Sequence, residues 1–186
     1  CKLIESFTQN PQLVHLGLWP GGLLNYSNEI KLLNDSLIMF PLDVNPDLKQ
    51  KKFSKSDFGY PITGVYNLKT RQVSCEGITY PKFMFENNYG LLTELEQYYF
   101  NDYILYSFLP IPEIWRYDRK SQKLDRYVVK STYDTIATPI LKIKRSPKTK
   151  DILFQHHKTS PFYKKMIYDP IHHLYFRFYA LPLSEK

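Results

Sequence analysis

What the sequence lacks narrows it first. Two cysteines in 186 residues, Cys1 and Cys75, exclude a disulfide-dense scaffold. They lie too far apart to mark a metal motif. No apolar run approaches the roughly 18 residues of a membrane-spanning helix. Glycine is scarce, at 7 residues, and Gly21-Gly22 after Trp19-Pro20 reads as a turn, too short to cradle a phosphate. There is no Gly-x-Ser-x-Gly elbow and no cysteine–histidine pairing with local support. No signal peptide is visible, since a basic start, an apolar core and a small-residue cleavage site are missing.

What is present is aromatic and basic. Aromatic residues make up 16% of the chain, with 16 Tyr, which excludes a disordered polymer. The 25 Lys+Arg exceed the 18 Asp+Glu, giving a net charge of +7. Nucleic-acid binding needs such charge concentrated on one face. Here it is spread along the chain, so no nucleic-acid partner is expected. At roughly 150 residues per domain, the length fits one domain, or a domain and a fragment.

A repeat organises the sequence. Val65-Tyr66-Asn67, Arg116-Tyr117-Asp118 and Ile167-Tyr168-Asp169 share one pattern, and successive tyrosines lie 51 positions apart. Each string enters a polar or proline-containing turn, where Asn or Asp suits the start by bonding backbone two residues on. A second apolar-alternating run follows each turn: Val73 and Cys75, then Leu124, Tyr127 and Val129, then Leu174, Phe176 and Phe178. Another hairpin signal lies upstream of each tyrosine: Asn34-Asp35-Ser36 before Leu37–Phe40, Asn101-Asp102 before Tyr103–Tyr106, and Lys150-Asp151 before Ile152–Phe154. Runs at Ile30–Leu33, Leu95–Phe100 and Ile140–Ile143 precede those turns.

Each unit therefore reads as four antiparallel strands. Meanders recurring at roughly 40–50 residues are the signature of β-propeller blades. The expected fold is all-β: a partial β-propeller over residues 1–186, with approximate repeats at 28–80, 91–131 and 139–183. About three to four blades are too few to close a ring, so a longer protein or a partner chain is expected to cover the open edges. A meandering β-sandwich is the alternative. Residues 42–60 read as a basic insertion carrying Lys49, Lys51, Lys52 and Lys55. Lys142–Lys150 reads as an exposed basic strand face and turn.

Candidate chemistry is sparse. His156-His157 and His172-His173 are adjacent pairs, and in strands one histidine of each would face the other across a hairpin. No acidic partner or helical spacing completes a metal site, so polar turn or strand roles are expected. Asp43 and Asp47 have no recognisable partner. Arg177, between Phe176 and Phe178, either stacks on aromatic neighbours or faces a channel where an anion would bind. Cys75 reads as a small core residue. Cys1 is either a lipid-bearing lipoprotein cysteine or only the first residue of this stretch. No catalytic, cofactor-binding or metal-ligating residue is assigned, and no cofactor is expected.

Tyr106-Ser107-Phe108 through Ile114-Trp115-Arg116-Tyr117-Asp118 to Lys130-Ser131 resembles a bacterial domain family of unknown function. Tyr163-Lys164-Lys165-Met166-Ile167-Tyr168-Asp169 with Leu174-Tyr175-Phe176-Arg177-Phe178 is similar to that family's most recognisable segment. The resemblance is fullest over residues 100–183. It implies a six-bladed, TolB-like propeller among cell-envelope lipoproteins, with further blades and a lipidated cysteine beyond this stretch, so that Cys1 is not the anchor. His172-His173 stand where the family tends to have a basic or aromatic residue, which weighs against a histidine-dependent role. No activity is established for the family, so no catalytic residue carries over.

The expected function is a non-catalytic binding or scaffold propeller of the bacterial cell envelope. Its ligand would be an unidentified protein, peptide or glycan, its membrane contact a lipid anchor, and its open blade edges a route to assembly. The alternative is a channel-based lyase or hydrolase on the same scaffold.

Overall fold

A computed structural model describes residues 18–20, 30–44, 61–87, 89, 95–129, 132, 137, 139, 150–169 and 171–183. They form eleven strands and two helices: β1 (Leu18–Pro20), β2 (Lys31–Asn34), β3 (Leu37–Val44), β4 (Pro61–Asn67), β5 (Gln72–Thr79), α1 (Lys82–Glu86), β6 (Leu95–Tyr99), β7 (Tyr103–Phe108), β8 (Glu113–Asp118), β9 (Lys123–Val128), α2 (Lys150–Thr159), β10 (Phe162–Asp169) and β11 (Leu174–Ala180). The strands make three sheets: β1-β3-β4-β5 with β2 also on β3, β6-β7-β8-β9, and the hairpin β10-β11. The antiparallel meanders expected for the first two repeats are both present. Among the described residues no helix is long and apolar enough to cross a membrane.

The chain divides into two compact units. One holds residues 1–80 with Gln97–Ile104 and Tyr117–Leu124, and the other holds Pro81–Glu96, Leu105–Arg116 and Asp125–Lys186. In the first, the strand β3 reads Leu-Ile-Met-Phe-Pro-Leu-Asp-Val and pairs along its length. Its Pro41 has no N–H to donate, and it sits where the partner on one edge changes from β2, whose pairing reaches Met39, to β1, whose pairing starts at Leu42. The central strand β4 is buried on both faces. Phe40, Leu42 and Tyr66 form a core against which Ile38, Leu68, Val73 and Cys75 pack. Cys75, read as a small core residue, is half-buried at the margin of this core, and that burial pushes its thiol pKa up.

Two polar features brace this unit. Gln97 is buried, accepts from Thr63 Oγ1 at 2.6 Å and from Tyr99 OH at 3.4 Å, and donates to the Ile62 carbonyl at 3.0 Å. The Arg119 guanidinium reaches both oxygens of Glu76, with Nη2 at 3.3 Å, and Nη1 donates to the Asn101 carbonyl at 2.8 Å. Both side chains of this pair are largely shielded from solvent. Replacing Arg119 with methionine should therefore cost about 1–2 kcal/mol, more than an exposed pair would. Burial, followed by the Glu76 charge, raises the Tyr117 pKa. Glu76→Gln should bring that phenol's titration midpoint down, which absorbance near 295 nm would follow.

In the second unit, Phe108, Trp115 and Phe83 meet edge to face, with centroids 4.8, 5.4 and 6.1 Å apart. Arg126 lies 4.1 Å over the Trp115 ring. Tyr106, Phe108 and Met166 are fully buried.

Two expectations change. The strand expected at Ile152–Phe154 is helix α2, so the third repeat has only two strands among the described residues. Leu42–Val44 belong to β3, so the insertion begins later than residue 42. Trp19-Pro20, ahead of the Gly21-Gly22 turn signal, end β1. Cys1, Gly21, Gly22, Asp47, Lys49, Lys51, Lys52, Lys55 and the run Ile140–Ile143 lie outside the described residues, as does most of Lys142–Lys150.

Candidate functional site

The three tyrosine hairpins are built alike. Tyr66 pairs with Val73 and Tyr168 with Tyr175, seven positions on in both cases. The next residue bonds its own turn each time. Asn67 Oδ1 accepts from the amides of Lys69 and Thr70 at 2.9 and 3.1 Å. Asp118 Oδ1 accepts from the amide and hydroxyl of Ser121 at 2.8 and 2.7 Å. Asp169 Oδ1 accepts from the amides of Ile171 and His172 at 2.8 and 3.3 Å. Five residues past each tyrosine the backbone turns left-handed, at Arg71, Gln122 and His173, with φ of 58°, 56° and 55°. That conformation costs a non-glycine residue about 1–2 kcal/mol, and the same turn carries it at every repeat.

The third hairpin differs from the others in what it displays, and it gathers three of the residues singled out in the sequence. Arg177 Nη1 donates to the Ile111 carbonyl at 3.1 Å, Nη2 donates to the Phe108 carbonyl, and the guanidinium lies 4.0 Å over the Tyr163 ring. Its aromatic partner is thus Tyr163 across the hairpin. His172 Nδ1 lies 2.7 Å from Asp169 Oδ2, and His173 Nδ1 lies 2.9 Å from Tyr168 OH. The other pair, His156-His157, sits on α2, where the His157 ring packs 4.9 Å from Phe162. His156 and His157, expected as polar turn or strand residues, are helical, so the strand pairing that would let the two histidine pairs face each other is not formed. Among the described residues no three His, Cys, Asp or Glu side chains converge as metal ligands.

The hydrogen bond from His172 and the Ile171 amide hold the Asp169 carboxyl below its ordinary pKa. A depressed carboxylate contributes above its unfolded pKa, and that contribution fades as pH falls through the folded value. Acidification should therefore loosen the Asp169 turn while leaving the Asn67 turn, which carries an amide, unchanged. Amide shifts of Ile171 and Lys69 followed from pH 6 to pH 2 would check this, with Ile171 titrating and Lys69 not.

One face of the third hairpin is apolar and bare. Ile167 pairs directly with Phe176, so they share a face, and Leu174 and Phe178 alternate onto it. These side chains are 46%, 53%, 52% and 54% exposed in that order. The equivalent positions on β5 are Gln72, Ser74 and Glu76, and on β9 they are Lys123, Asp125 and Tyr127. The turn is repeated, but the display is not. Comparing the three repeats position by position would have found this in the sequence.

Comparison with known proteins adds a family and a fold. No curated protein matches this chain. A crystal structure of a DUF4221 family member from Bacteroides vulgatus is similar at 17% sequence identity and a TM-score of 0.62. The similarity covers 83% of this chain and 42% of that one, so the chain spans less than half the length of its solved relative. The model of a domain of unknown function, DUF4221, matches residues 2–185. With nearly every residue matched, the chain belongs to the DUF4221 family.

Proposed function

We propose that this chain supplies blades to a non-catalytic β-propeller of the bacterial cell envelope, TolB-like and six-bladed in the whole protein, that binds or scaffolds a protein, peptide or glycan. The blade reading is supported by the 51-residue recurrence of one hairpin and by two four-stranded antiparallel meanders. A family relative more than twice as long as the matched region leaves room for further blades.

The observation that carries the binding reading is the division of labour on the third hairpin. Its polar groups are engaged inward or with each other: Arg177 on two carbonyls and a ring, His172 on Asp169, His173 on Tyr168. Beside exposed Lys164, Lys165, His172 and His173, one face of the hairpin offers aliphatic and aromatic surface. Such a face buries contact area on a partner. The test is to incubate the purified protein with a panel of envelope glycans and unstructured peptides, reading binding by calorimetry and the fate of each probe by mass spectrometry. Binding with every probe recovered at its starting mass is the expected result. A cleaved or eliminated product would establish a lyase or hydrolase instead.

A further inference from the structure

The bare face of β10–β11 has more to say than that it is apolar. At the same repeat positions, the first two hairpins carry Gln72, Ser74, Glu76, Lys123 and Asp125, with Tyr127 the one aromatic side chain. The third carries Leu174, Phe176 and Phe178 beside Ile167. The opposite face of this hairpin is already covered: Met166 and Tyr163 are buried, and Arg177 bonds the carbonyls of Phe108 and Ile111. A strand pair with one face packed and the other apolar is the pattern of a layer lying between two others. Four large apolar side chains each close to half exposed mark a contact surface that water covers at a cost.

We propose that Ile167, Leu174, Phe176 and Phe178 form the seat of a further β-sheet of the family fold. That sheet is supplied by polypeptide corresponding to the part of the solved relative that this chain does not span. Two observations select this occupant. The relative extends well beyond the matched region, which covers 42% of its length. A second copy of this chain is disfavoured, because a two-fold contact brings the same patch onto itself. The patch is flanked by exposed Lys164 and Lys165, so self-pairing would set like charges together. The occupant's chemistry follows: an alternating strand face of aliphatic and aromatic residues, bordered by acidic side chains that meet Lys164 and Lys165.

The seat rests on reading the repeats as blades, and the experiment separates the two. A photo-crosslinking residue, p-benzoylphenylalanine, replaces Phe176, and in a second variant Leu174, in the protein made from its own gene in its own cell. Both positions are exposed, so neither substitution disturbs the packed face. After irradiation, the product is sized and the crosslinked peptide sequenced. The expected result is an intramolecular crosslink to a residue outside Cys1–Lys186. A crosslink to a second copy, to another protein or to a residue within Cys1–Lys186, or no crosslink at either position, overturns the seat. A crosslink outside Cys1–Lys186 in a protein whose sheets stack as a sandwich would keep the seat and remove the propeller.

Discussion

Replacing Gly64 with alanine should cost the first sheet about 2–3 kcal/mol, the upper part of the range for overfilling a packed core. Gly64 on β4 lies directly opposite Phe40 on β3. A methyl group built there would come within 3.0 Å of three atoms of the Phe40 ring. The ring has no room to retreat, since Phe40 is 2% exposed and packs with Leu42 and Tyr66. The backbone at Gly64 has no left-handed torsion, so the cost is steric. Absent the ring, alanine at a strand position would be neutral or mildly favourable. The double variant separates these terms. Phe40→Leu shortens the obstructing side chain, so Gly64→Ala placed on that background should cost much less than on the natural one. Urea unfolding of the four proteins reads the coupling. Strictly additive losses would show that the contact does not set the choice of glycine.

Gln97→Leu should be comparably damaging, at about 3 kcal/mol, although leucine has nearly the same volume. The loss is in hydrogen bonds. The register of β4 against β5 shifts between Pro61 and Thr63, and the Ile62 carbonyl at this irregularity accepts the Gln97 amide at 3.0 Å. The amide oxygen takes the Thr63 hydroxyl at 2.6 Å and the Tyr99 hydroxyl at 3.4 Å. Leucine returns none of these bonds in a site where Thr63 and Gln97 are 0% and 3% exposed. Each buried polar group that loses a partner costs about 1–3 kcal/mol. Thr63→Val alone should cost less, because it removes a single donor. Combined with Gln97→Leu it should be less than additive. A Gln97→Leu protein as stable as the natural one would show that the network contributes nothing net.

The hairpin repeat was legible because its causes are local. The side chain of Asn67, Asp118 or Asp169 bonds amides two and three residues on, so the turn is written where it forms. Apolar alternation places β2 to β9 for a related reason: these eight strands form two meanders whose partners are sequence neighbours. Helix α2 escaped because its pattern is inverted. Its more shielded stripe is Leu153, His156, His157 and Ser160, at helical spacing, while Ile152 and Phe154 face water. A search for apolar periodicity sees the exposed pair and reads a strand. Strand β1 pairs Leu18 with Val44 across a long stretch of chain, and local sequence carries no record of such register. The Gln97 network is hidden for another reason: Glu96 and Gln97 look like surface residues by type, yet both are buried. Arg177 is legible as a residue that stacks on an aromatic neighbour or faces a channel, but its partner Tyr163 depends on how β10 pairs with β11.

The blade reading of the three repeats stands or falls on how successive hairpins are related in space. A crystal structure of the protein purified from its own cell measures this directly. Superposing the Tyr66 hairpin on the Tyr117 hairpin, and that one on the Tyr168 hairpin, should give two nearly equal rotations about one common axis. With four to eight blades in a closed ring, each should be about 45–90°. Sheets packed face to face with their strands aligned to within about 30°, and no common axis, would contradict the account.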